Sequence, residues 1–541
     1  MIDRTHSRHP ARVARIILAG IITATVAAAP AVQVHAAQGR AQVHAAIPNG
    51  GTLTYRQADA PDCLDPQKTS EAASDYIMFD LFDGLTSQDS HLNVRPNLAT
   101  SWSFSHKGTW ITFHLRHGVR FSNGDPLSAT DVKWTFDRAL NPATKSPVAS
   151  SLLAGVTKIQ VLDPYTVRLI LSVPNRPLLE NLVNGYLGIL DQKAVKAAGS
   201  KECQYPVGSG PFKITNVGPA FSTVTLSRNP YHTWAPPWAQ NQGPAHLNTI
   251  VFKAITSDST TVSELLTGGI DSTFTSGIAA TQFSRVKGNP NLNLVKFAQQ
   301  DLTYIDFNSK HAPFDTVEGR RALSQAIDRT QIVNVAFQGQ AVVTYGPFPP
   351  TIADYDPQVP SYAVKTNVAA AKAYFSAHPV SSPLTFLVVN SPTFLTAAQV
   401  IQSELGAVGV KVNIVPKALG DVLPIAEKGQ FDMILFGWTY SDPDILYFIF
   451  HSSQEVPGGL NYTFYKNATL DKLLTEGRTT VDPAAAKRVY AQAQRLITTQ
   501  ALIDPICYQL VTTGFTKRVH GYIVPAHFPI FIWDQDMYVT S

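Results

Sequence analysis

Phe431-Asp432-Met433-Ile434-Leu435-Phe436-Gly437-Trp438-Thr439-Tyr440-Ser441-Asp442-Pro443-Asp444 decides how this chain is read. Phe431 to Phe436 is mostly apolar and of strand length, which predicts a buried strand. Gly437 lets the backbone turn there or come close to a ligand. Trp438 and Tyr440 follow, each a flat apolar body with a polar tip. Asp442-Pro443-Asp444 then opens a second apolar run, Ile445 to Phe450. A strand that delivers aromatics and carboxylates at its carboxyl end marks where open α/β sheets bind ligands. The same residues also fit a core Trp followed by a helix cap.

The neighbouring segments place that strand in an α/β unit. Leu384 to Val389 is a strand, Ala397, Ile401 and Leu405 mark a helix, and Val410 to Val415 is a second strand. A strand–helix–strand order predicts parallel pairing. Upstream, Asp315 and Glu318 open a helix carrying Leu323, Ala326, Ile327 and Val335, closed by Gly339. Downstream, Asp482 to Gln500 is a helix, followed by Ile506 to Leu510 and an aromatic tail, Phe528 to Trp533.

The first half reads differently. Gly50 to Tyr55 begins a strand, and Ser74 to Phe82 a helix. Ile111, Phe113 and Leu115 alternate with polar residues, as in a half-buried strand. Ser128-x-x-Asp131 has the form of a capping box before a helix carrying Val132, Phe136 and Leu140. Val156 to Val161 and Tyr165 to Leu171 flank Asp163-Pro164 as a hairpin. Pro206 to Phe212 is rich in turn formers and reads as a hinge or a loop.

The chain has 541 residues, enough for two or three domains, with 44% hydrophobic and 15% charged residues, a globular composition. Residues 1–36 read as a signal peptide: Arg4, Arg8, Arg12 and Arg15 precede an apolar, Ala-rich run that ends at Val34-His35-Ala36. That segment holds four arginines and one aspartate, so the formal charge of +4 falls to +1 without it. With neither a basic block nor a zinc spacing, no nucleic-acid partner is expected. No cysteine lies where a lipid would be attached, so a soluble exported protein is expected. Of Cys63, Cys203 and Cys507, the first two lie in polar turn-like stretches and are expected to pair; Cys507 sits in an apolar run as a free thiol.

The ordered set of motifs resembles the family 5 extracellular solute-binding proteins of ABC importers, which include peptide- and nickel-binding members. The matching pieces are Cys63-Leu64-Asp65-Pro66-Gln67, Phe82-Asp83-Gly84-Leu85, Pro96 to Trp102 and Phe113 to Gly124. Further along come Pro206 to Phe212, Arg228-Asn229-Pro230, Gly269-Ile270-Asp271, Phe314 to Asp328, and Gly437-Trp438 with Asp442-Pro443-Asp444.

The resemblance implies a bilobal α/β periplasmic-binding-protein fold of class II type, cluster C. Lobe I would comprise 48–305 and 506–541, with an insert at about 89–204, and lobe II 306–505. Two strands, near Thr303 to Asn308 and Ile506 to Leu510, would cross between them as the hinge.

It also implies a ligand wall of Gly437, Trp438, Tyr440, Ser441 and Asp442, joined by Tyr304 and by Thr69 and Ser70 of lobe I. Asp442 reads both as a ligand contact and as an N-cap with Pro443 at the first helical position; Asp444 reads as a surface charge complementing the helix dipole. Relative to dipeptide binders the loop is about two residues shorter, and Leu435 stands where some carry an Arg. In the nickel branch a His lies near Asp-Pro, where this chain has Asp444. The expected ligand is therefore a short peptide or similar small polar solute, with a nickel chelate, an oligosaccharide or another small molecule as the alternative. The expected partners are the membrane permease subunits, the expected state a monomer in the periplasm, with no cofactor and no metal. A hydrolase is disfavoured: no Gly-x-Ser-x-Gly occurs, and Gly208-Ser209-Gly210 runs into Pro211.

Overall fold

The computed structural model describes residues 47–275, 277–457, 459–522 and 533–541. The signal-peptide reading, and most of the aromatic tail, lie outside the described residues.

The strand–helix–strand unit forms as strand Leu384–Val389, helix Pro392–Ala407 and strand Val412–Lys417, with the strands parallel. Leu384–Val389 also pairs in parallel with Met433–Thr439. Met433–Thr439 in turn runs antiparallel to Asp301–Phe307, which pairs with the long strand Ile503–Thr516. Side-chain alternation sorts this sheet into two cores. Ile305, Phe307, Phe386, Val388, Met433 and Leu435 face one helical layer. Leu302, Tyr304, Leu387, Ile434 and Phe436 face the other, with Tyr490 and Ile497 of helix Pro483–Thr499.

Strand Ile503–Thr516 joins two halves of the molecule. Its first residues pair with Asp301–Phe307, and Leu510 to Thr516 pair with Leu292–Ala298. Leu292–Ala298 and Asp301–Phe307 are consecutive in sequence, so the chain crosses twice side by side.

The N-terminal half has its own sheet, in the order Thr52–Gln57, Thr249–Ala254, Thr223–Arg228, Phe212–Val217. A second sheet, of four antiparallel strands from Ala99–Phe104 to Thr166–Leu171, belongs to the segment read as an insert. One continuous core of Tyr55, Ile77, Phe113, Phe136, Leu169 and Phe252 serves both. The capping box forms: Asp131 Oδ2 accepts from the Ser128 N–H at 2.9 Å, and Ser128 Oγ accepts from the Thr130 N–H at 3.3 Å. Cys63 and Cys203 are bonded, with Cα atoms 4.5 Å apart across 140 residues, and Cys507 is a buried free thiol.

Two local expectations need correction, and a third is narrowed to one of its two readings. The strand expected to end at Phe436 continues to Thr439, because Asp301, Leu302 and Thr303 pair opposite Thr439, Trp438 and Gly437. Gly437 is therefore extended strand, and a Cβ there would make only ordinary contact, 3.4 Å from Phe394. The single helix expected from Asp315 to Gly339 is two, Val317–Ala326 and Arg329–Ala336. Asp328 stops the first by capping the second, accepting from the Thr330 and Gln331 N–H groups. Pro206 to Phe212 is a clamped loop: a Cβ on Gly208 would lie 2.2 Å from the Leu81 carbonyl oxygen, and one on Gly210 would lie 2.5 Å from that of Asp80. Ser209 is buried and donates to Asp83 Oδ2 at 2.7 Å, which makes it a structural hydroxyl.

Candidate functional site

At the carboxyl end of strand Met433–Thr439, Gly437 and Thr439 are exposed and Trp438 is half-buried against the second core layer. The Trp438 indole N–H is buried with no hydrogen-bond partner among the described residues. The Tyr440 N–H donates to the Gln300 carbonyl at 3.0 Å, which ties the loop to the crossing strands. Its ring lies 6.1 Å from Phe448, and burial raises its phenol above the usual range.

Asp442 is 7% exposed, and its Oδ1 accepts from the Asp444 N–H at 2.7 Å, a turn that leads into helix Ile445–Phe450. The capping geometry read from Asp442-Pro443 is thus present one turn before the regular helix. Asp444 is not the surface charge expected: it is 1% exposed, and its Oδ2 meets Arg478 Nη2 at 3.0 Å. Arg478 itself lies over the Tyr447 ring, 3.8 Å from its centroid. Burial pushes the Asp444 carboxyl up to about 8, with Arg478 opposing.

The sequence reading missed the residues that face this loop from the insert. Arg176 Nη2 meets Asp354 Oδ2 at 2.8 Å, and the Arg176 N–H donates to the Arg478 carbonyl at 2.9 Å. Glu180 accepts from Gln88 Nε2 at 2.5 Å. Burial, and then the charge of Asp442, push Glu180 up to about 8, while Gln88, Arg176 and the Ser441 hydroxyl oppose the shift. Burial also raises Asp442, with Arg176 the main opposing group. Burial alone would weaken the Arg176 cation, but Asp442 and then Asp354 more than offset this, and its pKa is raised. Pro174-Asn175-Arg176-Pro177 reads only as a turn, and nothing local points to partners 178 residues away.

The remaining candidates lie elsewhere. Tyr304 is packed in the core, its ring 6.5 Å from Phe436, where burial and then the charge of Asp306 raise its phenol well above the usual range. Thr69 is buried and closes its own turn, donating to the Asp62 carboxylate and accepting from the Glu71 N–H at 3.0 Å. Ser70 beside it is exposed. No group of three or more His, Cys, Asp or Glu among the described residues is arranged to hold a metal. His451 accepts from the Ser453 N–H at 3.1 Å and stacks on Tyr447.

A cavity of about 710 Å³ lies beside the crossing strand. Its walls come from both halves: Arg56, Asp59 and Phe283 from one, Phe337 and Thr393 from the other, with Gln509 between them. Phe337 belongs with the first core layer and Trp438 with the second, so the cavity and the Trp438 loop flank the sheet on different sides.

Residues 93–458 match the family model of the bacterial extracellular solute-binding proteins, family 5. The di/tripeptide-binding protein 1 of Pseudomonas aeruginosa is 28% identical, over 88% of this chain and 93% of its own length. The glutathione-binding protein GsiB of Escherichia coli is 27% identical, over 85% of this chain and 89% of its own. Among solved structures, the periplasmic binding protein DppA of Helicobacter pylori in complex with the peptide STSA aligns with a TM-score of 0.70 at 26% identity. It covers 91% of this chain and 98% of that one.

Proposed function

This chain belongs to the family 5 bacterial extracellular solute-binding proteins, and on that premise we propose that it captures a short peptide or similar small polar solute between two lobes and hands it to the membrane permease of an ABC importer. The observation that carries this reading is the end of strand Met433–Thr439, where Gly437 and Thr439 are exposed beside the half-buried Trp438 and the insert of the other half comes in through Arg176, 2.8 Å from Asp354 and 2.9 Å from the Arg478 carbonyl. Small-solute sites are lined by aromatic walls with a few placed polar groups and lie preferentially where two parts of a molecule meet. Two antiparallel crossings of the chain, side by side, give such a pair of lobes a hinge, and a solute touched by both lobes favours the form in which both contact it.

The working division is lobe I at 48–305 and 506–541 and lobe II at 306–505, with the solute wall at Gly437, Trp438, Tyr440 and Ser441. Tyr304 supports that wall from the core, and Thr69 holds the turn before helix Ala72–Leu81. The protein acts by binding, without catalysis, as an exported monomer. The test is mass spectrometry of the solute that co-purifies, followed by thermal-shift screening of di- and tripeptides. A solute at about 100 times its Kd adds about 2.7 kcal/mol of stability. Turnover of a peptide pool by the pure protein, or the absence of any stabilising peptide, overturns the reading.

A further inference from the structure

Asp442 and Asp354 are carboxylates of the C-terminal half, both largely buried near the Trp438 loop. Carboxylates taken out of water require a cation or a proton. Here the cation comes from the same chain. Arg176 reaches over from the insert, pairs with Asp354 at 2.8 Å, and lies close enough to Asp442 to be its strongest opposing charge. Its backbone N–H is fixed on the Arg478 carbonyl, so the guanidinium is delivered by a held segment rather than by a loose side chain. Its second terminal nitrogen, Nη1, is buried with no partner among the described residues.

We propose that Arg176 is a specificity-determining residue: it occupies the cation position against Asp442 and Asp354 that a basic group of a solute would otherwise take. The Trp438 end of the cleft then accepts solutes that bring no cation there. An amine-bearing solute has to displace a charge already in place, so the free amine gains it nothing. This specificity rests on the peptide-capture reading, whereas the cation position itself does not.

The experiment has two arms. The first needs no solute. Thermal unfolding of wild type, Arg176→Ala and Arg176→Lys is followed with millimolar ethylguanidinium chloride against equal sodium chloride. Arg176→Ala should melt lower than wild type and regain several degrees, saturably, with ethylguanidinium only. Wild type and Arg176→Lys should not respond, and Asp354→Asn placed in Arg176→Ala should abolish the response. A response in wild type equal to that of Arg176→Ala, or none in Arg176→Ala, overturns the proposal. In the second arm a tripeptide and its N-acetyl form are titrated calorimetrically. Wild type should bind both about equally, and Arg176→Ala should favour the free amine by roughly tenfold. A strong free-amine preference in wild type, unchanged in Arg176→Ala, also overturns it. If wild type binds neither form of any peptide, the capture of peptides fails while the ethylguanidinium arm still decides the cation position.

Discussion

Two groups of buried carboxylates in this chain solve the same problem by different means. In the N-terminal core, the Tyr55 hydroxyl donates to Asp534 Oδ1 at 2.5 Å, and Asp80 lies close enough to the same carboxyl for the Asp534 charge to add to its burial. Burial raises both carboxyls, Asp534 to about 6 and Asp80 well above its usual value, and no cation enters the balance. Beside the Trp438 loop, Asp442 and Asp354 face Arg176, and Asp444 faces Arg478. The core group has only a proton to neutralise it, whereas guanidinium ions from distant segments oppose the upward shift of Asp442, Asp354 and Asp444, only partly for Asp444, which stays at about 8. Burial is similar, so burial alone does not mark a functional carboxylate. What separates the two is whether the compensating group belongs to the same packed unit or arrives from another one.

The largest expected effect breaks the proton-held group. Its folded pKa values lie above the unfolded value, so the stability it contributes is fully present below about pH 4 and is lost as pH rises through the folded values. Asp80 and Asp534 titrate together, so the loss over that span belongs to the pair and is on the order of a few kcal/mol. Asp75 and Asp306, which burial raises to about 8, act in the same direction. Urea unfolding at pH 5 and pH 8 should therefore show lower stability at pH 8, with a smaller difference in the Asp80→Asn, Asp534→Asn double variant. Equal stability at both values would remove the shared proton from the account.

The guanidinium-held group should answer to its cation instead. Arg176→Ala removes one partner of a largely buried pair, which costs a few kcal/mol, about 2–4 after allowance for its partial exposure. Asp442→Asn should be gentler. Asn caps a turn as well as Asp does, but the substitution takes from Arg176 its strongest attracting charge while Asp354 remains, so the melting temperature of the free protein should fall, by less than in Arg176→Ala. Unchanged solute affinity in that variant would leave Asp442 as a cap and as Arg176's partner only. The smallest effect is expected at Tyr304→Phe, which removes one hydroxyl from the core, should change stability by no more than about 1 kcal/mol and should leave solute affinity unaltered.

Local signals made much of the fold legible. The strand–helix–strand unit from Leu384 to Lys417, the Ser128 capping box and the 156–171 hairpin all depend on residues close in sequence. The site was legible only on its own strand. Gly437 looked like a turn because the pairing that holds it extended comes from Thr303, 134 residues upstream. Asp444 looked like a surface charge because its partner, Arg478, lies on another helix. Arg176 and Glu180 sit in a turn and a four-residue helix, with no periodicity to single them out. Their role depends on the insert meeting the C-terminal half, a contact no local pattern encodes. By contrast the Asp328 cap is written in the sequence, as Asp followed by a polar helical start, and is masked there only by the apolar period that continues across it.

The central claim is that a solute sits against Trp438 between the lobes. Calorimetric titration of wild type and Trp438→Ala with a tripeptide that stabilises the wild type tests it most directly. The account predicts one-to-one binding to wild type, weakened in Trp438→Ala by roughly 2–4 kcal/mol, the range of a buried aromatic anchor, with little change in the melting temperature of the free protein. Equal affinity in the two proteins, with a large fall in the stability of Trp438→Ala, would make Trp438 a core residue and contradict the claim.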